Sequence, residues 1–214
     1  MTLIIGVGAA RKLDTSKTRF GFLLRAGGLI GLFLAAHAAG QPADLLNSQR
    51  IEQTFGSYGI TVLESDAALR VSSLHSTEGD DQVCRTFAVV RYPPVVDPAF
   101  AAEHAAILAG GSIGAVFAAA GWRVEKTHAH YGQVAAQGRV AALMRIPPGA
   151  DLAVHDYGFT VIKNEARYRY ATIAEIHHPD YLQVDDLRTI YGPLERPSDR
   201  EADELVSIAT AKMR

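Results

Sequence analysis

The chain has 214 residues, of which 48% are apolar and 21% are charged, and its formal net charge is −2. This composition excludes an intrinsically disordered chain, and the length predicts one domain or at most two small ones. The single cysteine, Cys84, excludes an intramolecular disulfide, and its strand-like surroundings predict a small buried side chain.

The first segment along the chain has the pattern of a secretory signal. Basic side chains, ending with Arg25, precede an uncharged apolar run over 26–36, and an Ala-His-Ala triplet that ends at Ala38 follows it. The run is too short to span a bilayer of roughly 30 Å as a helix. The sequence therefore predicts a signal peptide over 1–38, one mature domain over 39–214, and a periplasmic or secreted protein. The alternative is an uncleaved anchor.

The charge balance bears on possible partners. Removal of residues 1–38 would take away five basic residues and one acidic residue, leaving 16 basic and 22 acidic ones and a net charge of −6. Nucleic acid requires a basic face, so the sequence predicts no nucleic-acid partner. No basic amphipathic stretch follows residue 38, so no membrane span or membrane-surface binding is predicted in the mature chain. The identity of any other partner stays open.

The remaining segments are short strands interrupted by one main helical block. Gly56 ends the first predicted helix, and Asp97 followed by Pro98 is typical of a helix N-terminus. Ser198 and Glu201 form a capping-box pattern before the last helix. The expected strands are 59–64, 68–76, 83–94, 122–132, 151–163 and 167–178. The expected helices are 42–56, 98–111, 112–121 and 199–212, with short ones within 133–149 and 178–192.

This order of elements indicates the fold class. Strands joined as hairpins, with one helical block between them, predict an α+β fold rather than a doubly wound parallel sheet. We expect a single antiparallel sheet of about five or six strands with helices packed on one face, those of 98–121. Four aromatic residues on the long hairpin predict cross-strand packing: Tyr157, Phe159, Tyr168 and Tyr170.

The segment GGSIG at 110–114 fits the pattern G-x-S-x-G, in which the serine can be a nucleophile on a strand–turn–helix elbow. The Ala-rich segment before it predicts a helix instead of a strand. In that case Gly110 or Gly111 ends one helix with a positive φ, and Ser112 caps the next. A third alternative is that Gly110, Gly111 and Ser112 bind a carboxylate or phosphate at the helix start.

Two pairs of metal-ligand residues have strand spacing. His128 and His130 lie two residues apart on a predicted strand, so their side chains are expected to share one face. Glu175 and His177 have the same spacing on a later strand. If the two strands are neighbours, the four residues form a zinc or copper site. The alternative is a solvated polar face, and no cofactor is then required.

The segment HHPDY resembles the H-H-P-[DE] core of the pterin carbinolamine dehydratases over five residues. The resemblance implies that His177, His178 and Asp180 line a pterin pocket. The chain lacks that family's later T-H-D-x-G-G-type stretch, and the histidines close a predicted strand instead of lying in a helix. A strand-to-turn transition at Pro179 accounts for the same residues.

No motif by itself establishes an enzyme. The sequence therefore predicts an exported, non-catalytic ligand-binding or partner-binding module of the cell envelope. The alternatives are a serine hydrolase that uses Ser112 and a metal-dependent enzyme that uses His128 and His130.

Overall fold

The computed structural model describes residues 45–194 and 200–214. Its centre is one six-stranded sheet in the order β1-β2-β3-β6-β5-β4, and all neighbouring strands are antiparallel. The predicted α+β class with a single antiparallel sheet is therefore confirmed. The strands are β1 (Gly59–Ser65), β2 (Leu69–Glu78), β3 (Asp81–Arg91), β4 (Arg123–Ala135), β5 (Asp151–Lys163) and β6 (Ala166–His177).

The helices lie on both faces of the sheet, whereas the sequence pattern had placed them on one. Strand β3 shows why, because Ala88 and Val90 point to one apolar layer while Phe87 and Val89 point to the other. A strand that is apolar on both sides must be covered on both sides. The first face carries α1 (Asn47–Phe55), α2 (Ala101–Leu108), α3 (Ile113–Ala119) and α5 (Val184–Tyr191), and the second carries α4 (Gly138–Met144) and α6 (Arg200–Lys212).

An aromatic cluster fixes α2 and α3 on the first face. Phe117 of α3 is fully buried, and its ring centroid lies 4.7 Å from that of Tyr170 and 5.9 Å from those of Phe100 and Trp122. All four aromatic residues predicted on the β5–β6 hairpin pack in this cluster, which confirms the packing prediction. The cluster holds the start of α3 over the sheet.

Local signals in the sequence match the observed ends of several elements. Helix α1 ends at Phe55, and Gly56 follows with φ +76°. The Asp97 carboxylate accepts a hydrogen bond from the Ala99 amide, as a cap requires, although a short 3₁₀ turn precedes α2. The described part of α6 begins at Arg200, while Ser198 of the predicted capping box and segment 1–38 lie outside the described residues.

None of the helices in the described ranges has the length and apolarity needed to cross a bilayer.

Candidate functional site: a buried cavity beside a histidine–glutamate cluster

A cavity lies between the first face of the sheet and the starts of α1 and α3. Its floor is apolar, and its roof is formed where Leu46 contacts Gly114. The contact is close, because a Cβ atom on Gly114 would lie 2.7 Å from Leu46 Cδ2. About 60 Å³ is open to solvent-sized molecules inside it, enough for a few waters. The apolar floor consists of Ile60, Leu74, Ala88, Val90, Phe159 and Ile173.

Arg70 is the most buried charged residue that lines this cavity, at 1% exposure. Its Nε donates to Ser72 Oγ at 3.0 Å, and its Nη1 donates to the carbonyl oxygens of Ile107 and Gly111 at 3.0 and 2.9 Å. Nη2 is buried and makes no hydrogen bond, and among the described side chains no carboxylate lies within ion-pair distance of the guanidinium. Arg70 therefore carries a buried positive charge that only neutral groups solvate.

Two further charged groups line the other end of the cavity. Lys126 of β4 places its Nζ 4.5 Å from the centre of the Tyr157 ring. Glu175 of β6 accepts a hydrogen bond through Oε1 from Asn47 Nδ2 at 2.9 Å. The lining thus has two cationic side chains and one carboxylate, and the carboxylate is already engaged by an amide.

The Gly110–Ser112 turn does not have the geometry of a nucleophile elbow. Helix α2 precedes it, whereas an elbow requires a strand there. Gly110 has φ +112°, the positive value expected after a helix end, and Gly111 supplies a carbonyl to Arg70. Ser112 occupies the N-cap position of α3, but its side chain makes no capping hydrogen bond and lines the cavity instead.

The structure separates the two histidines that had been expected to act together. A β-bulge falls between them, so that His128 pairs with Tyr157 and His130 pairs with Asp156. Adjacent residues of β5 point to opposite faces, and so do their partners. His128 therefore lies on the first face, whereas His130 lies on the second.

Glu175 and His177 do share a face of β6, and their neighbour there is a residue that the sequence analysis missed. His155 of β5 is the register partner of Glu175. Glu175 Oε2 lies 4.0 Å from His155 Nδ1 and 4.0 Å from His177 Nε2, and these three ligand atoms lie within 4.8 Å of one another. Sequence spacing does not identify His155, because Lys163 pairs with Ala166 and uninterrupted counting from there would place Ala174 opposite His155. The β-bulge between Phe159 and Thr160 shifts the register by one residue and brings Glu175 there instead.

The imidazoles of this cluster are uncharged. Burial lowers the pKa of His177 to about 4 and the pKa of His155 well below its usual range. The ring of His128 stacks on His155, with Nδ1 2.7 Å from His155 Nε2, and burial lowers its pKa to about 4 as well. Neutral imidazole nitrogens can accept hydrogen bonds or coordinate metal ions.

The side chains of His177 and His178 point in different directions at the end of β6. His178 points away from the cluster, because its Nε2 lies 3.0 Å from the carbonyl oxygen of Met144 and its Nδ1 accepts from the Asp180 amide. The Asp180 side chain is exposed. The pocket that the pterin-enzyme resemblance implies for these residues is therefore not formed.

No protein-family model and no curated protein matches the chain. Among solved structures, it is similar to the ligand-binding domain of a candidate GntR-family transcriptional regulator from Bordetella bronchiseptica, at 14% identity and a TM-score of 0.40 over 58% of this chain and 87% of that one. A GntR-family transcriptional regulator from Enterococcus faecalis is similar at 12% identity and a TM-score of 0.35, over 59% and 93% of the two chains. The C-terminal domain of the histidine utilization repressor from Pseudomonas syringae is similar at 11% identity and a TM-score of 0.37, over 59% and 95%.

These comparisons contradict several sequence-based predictions. The predictions of an exported chain with a signal peptide, of a periplasmic or secreted envelope module and of a chain without a nucleic-acid partner are wrong, because the similar structures belong to transcriptional regulators. The likeness assigns neither a family nor a ligand to this chain.

Proposed function

We propose that the domain binds a small organic anion, a carboxylate on an apolar body, in the cavity beneath α1 and α3. The observation that carries the proposal is the state of Arg70: a nearly fully buried guanidinium whose Nη2 has no hydrogen bond and which has no carboxylate partner among the described residues. A buried charge without a counter-charge is costly, and an anion that reaches it would remove that cost.

The geometry of the guanidinium favours a carboxylate. Three of its five N–H groups are used by Ser72, Ile107 and Gly111, which fix the plane of the group. The two N–H groups on Nη2 remain, and a guanidinium is well suited to a planar oxyanion. Lys126 adds a second positive charge to the same lining.

The apolar floor of the cavity indicates that the part of the ligand beyond the carboxylate is apolar. Ligand sites combine apolar walls with a few polar groups that fix orientation, and here the walls are aliphatic and aromatic side chains of the sheet. The open space of about 60 Å³ is smaller than an aromatic acid, so a ligand of that size would have to widen the cavity. The contact between Leu46 and Gly114 is the place where the cavity would open.

The test measures the melting temperature with monocarboxylates, each paired with its neutral primary amide, such as benzoate with benzamide. We expect at least one carboxylate to stabilise the wild type in a saturable manner and its amide to have no comparable effect. Arg70→Met should abolish this response, and Arg70→Lys should weaken it. Arg85→Met is the matched control, because Arg85 is an equally buried arginine on the adjacent strand β3 and does not line the cavity.

A second variant separates loss of binding from loss of folding. Ala88→Leu leaves Arg70 intact and places a larger side chain in the cavity, so it should also remove the carboxylate response. The proposal fails if every carboxylate acts like its amide, or if Arg70→Met responds as the wild type does.

A further inference from the structure

We infer that His155, Glu175 and His177 form a binding site for one divalent first-row transition metal ion, with zinc as the reference ion. The site goes beyond the proposed anion cavity and does not depend on it. It also differs from the set expected from the sequence, because His155 takes the place of His128 and His130.

Three donor atoms that lack hydrogen-bond partners converge on one point. His155 Nδ1, Glu175 Oε2 and His177 Nε2 are buried without a hydrogen bond, in residues that are 0%, 4% and 1% exposed. A buried polar atom without a partner costs about 1–3 kcal/mol. Three such atoms directed at one another are best explained by a group that all three can bind.

The distances between these donor atoms suit a single metal ion. Two separations are 4.0 Å and the third is at most 4.8 Å. A point equidistant from the three atoms then lies about 2.5 Å from each, and shifts of about 0.4 Å would reach the ~2.1 Å of zinc–nitrogen and zinc–oxygen bonds. Shifts of this size need only small rotations of side chains on two paired strands.

Neighbouring polar side chains orient all three ligands. His177 Nδ1 lies 3.0 Å from Thr86 Oγ1, so donation to that oxygen leaves Nε2 free to coordinate. His155 Nε2 lies 2.7 Å from His128 Nδ1, which leaves the other nitrogen of His155 free in the same way. Asn47 engages Glu175 Oε1 and leaves Oε2 for the metal. Metal-binding histidines characteristically have such outer partners.

The donor set selects the class of ion. Two imidazoles and one carboxylate favour zinc and related transition ions, whereas calcium and magnesium take oxygen ligands. Three protein ligands leave one coordination position for water or a small anion in a tetrahedral zinc site. Glu175 also lines the anion cavity, so that cavity adjoins the metal site.

The test uses the full chain, stripped with chelator and titrated with zinc alone in the absence of any carboxylate. We expect about one equivalent of bound zinc by elemental analysis after dialysis. Cobalt in its place should give the visible absorption of a coordinated d⁷ ion. Glu175→Gln should lower zinc affinity at least 100-fold, beyond the roughly 10–100-fold loss usual for an outer partner.

Two further variants keep the test decisive. His130→Ala removes a histidine from the same region but on the other face of the sheet, so zinc affinity should be unchanged. Thr86→Val keeps every ligand and removes the hydroxyl oxygen that lies beside His177 and also accepts from Asn47 Nδ2, so affinity should fall by about 10–100-fold while the fold is retained. The inference is wrong if the stripped wild type binds no zinc, or if Glu175→Gln and Thr86→Val both bind it as the wild type does. Because no carboxylate is present, neither result bears on the anion proposal.

Discussion

The position of α3 over the cavity depends on one side chain, Phe117, and this dependence can be measured. Phe117 is fully buried and its ring contacts Phe100, Trp122, Phe159 and Tyr170 at centroid distances of 4.7–6.2 Å. Phe117→Ala would remove the ring and leave a cavity among rings that cannot easily close around it.

The magnitude follows from burial. Truncation of a buried phenylalanine costs about 3–5 kcal/mol, and the four ring contacts place this one near 4 kcal/mol. With a urea dependence of about 2 kcal/mol per molar, the unfolding midpoint should fall by about 2 M. Leu108→Ala is the control on neighbouring α2, since Leu108 is 39% exposed and should cost less than about 1 kcal/mol.

Urea unfolding followed by circular dichroism measures both variants, and carboxylate binding is measured under conditions where Phe117→Ala remains folded. Because Phe117 holds the start of α3 in place, the variant should also lose the carboxylate response. A loss of stability no larger than that of Leu108→Ala would refute the role given to the aromatic cluster. A full carboxylate response would refute the link between α3 and the cavity.

Three further outcomes are expected. Ser112→Ala should cost less than about 0.5 kcal/mol, because no capping hydrogen bond is lost, and a fluorophosphonate probe should label neither form. Specific labelling of the wild type alone would contradict the conclusion that the Gly110–Ser112 turn is not a nucleophile elbow. Burial raises the pKa of Cys84 to about 11, so a disulfide reagent at pH 8 should leave the thiol of the folded protein unmodified and should react with it once urea is added. Rapid reaction of the reagent with the folded protein would contradict the burial of Cys84. Hydrogen bonds from Lys212 and Arg139 lower the pKa of Glu64 in the folded state, so these ion pairs stabilise the fold above the unfolded-state pKa, and this stability is lost as pH falls through the folded-state pKa. Glu64→Gln should therefore make the free energy of unfolding fall less steeply below about pH 4.5. An unchanged pH dependence in this range would contradict the role of Glu64.

Several local features were predictable because a few neighbouring residues determine them. The helix end at Gly56, the cap at Asp97 and the β5–β6 hairpin all follow from turn and capping residues, and all are present in the structure. The burial of Cys84 was predictable for a similar reason, since apolar residues surround it in a strand. The antiparallel α+β class followed from the succession of these elements.

The site required long-range information. One extra residue at the bulge between His128 and His130 reverses the face of every side chain beyond it, and spacing in the sequence carries no sign of it. The groups that solvate the buried Arg70 guanidinium are likewise distant in sequence, because the carbonyl groups of Ile107 and Gly111 are 37 and 41 residues away along the chain.

The sequence by itself determined the type and order of the strands and helices, because backbone preferences and hydrophobic periodicity act over a few residues, although several elements end a few residues from the predicted bounds. Tertiary structure alone decided the strand order, the division of helices between two faces and the meeting of His155 with Glu175 and His177. Those features arise when distant segments close on one another. The free energy gained when these segments associate depends on packing between them, which a local sequence pattern does not determine.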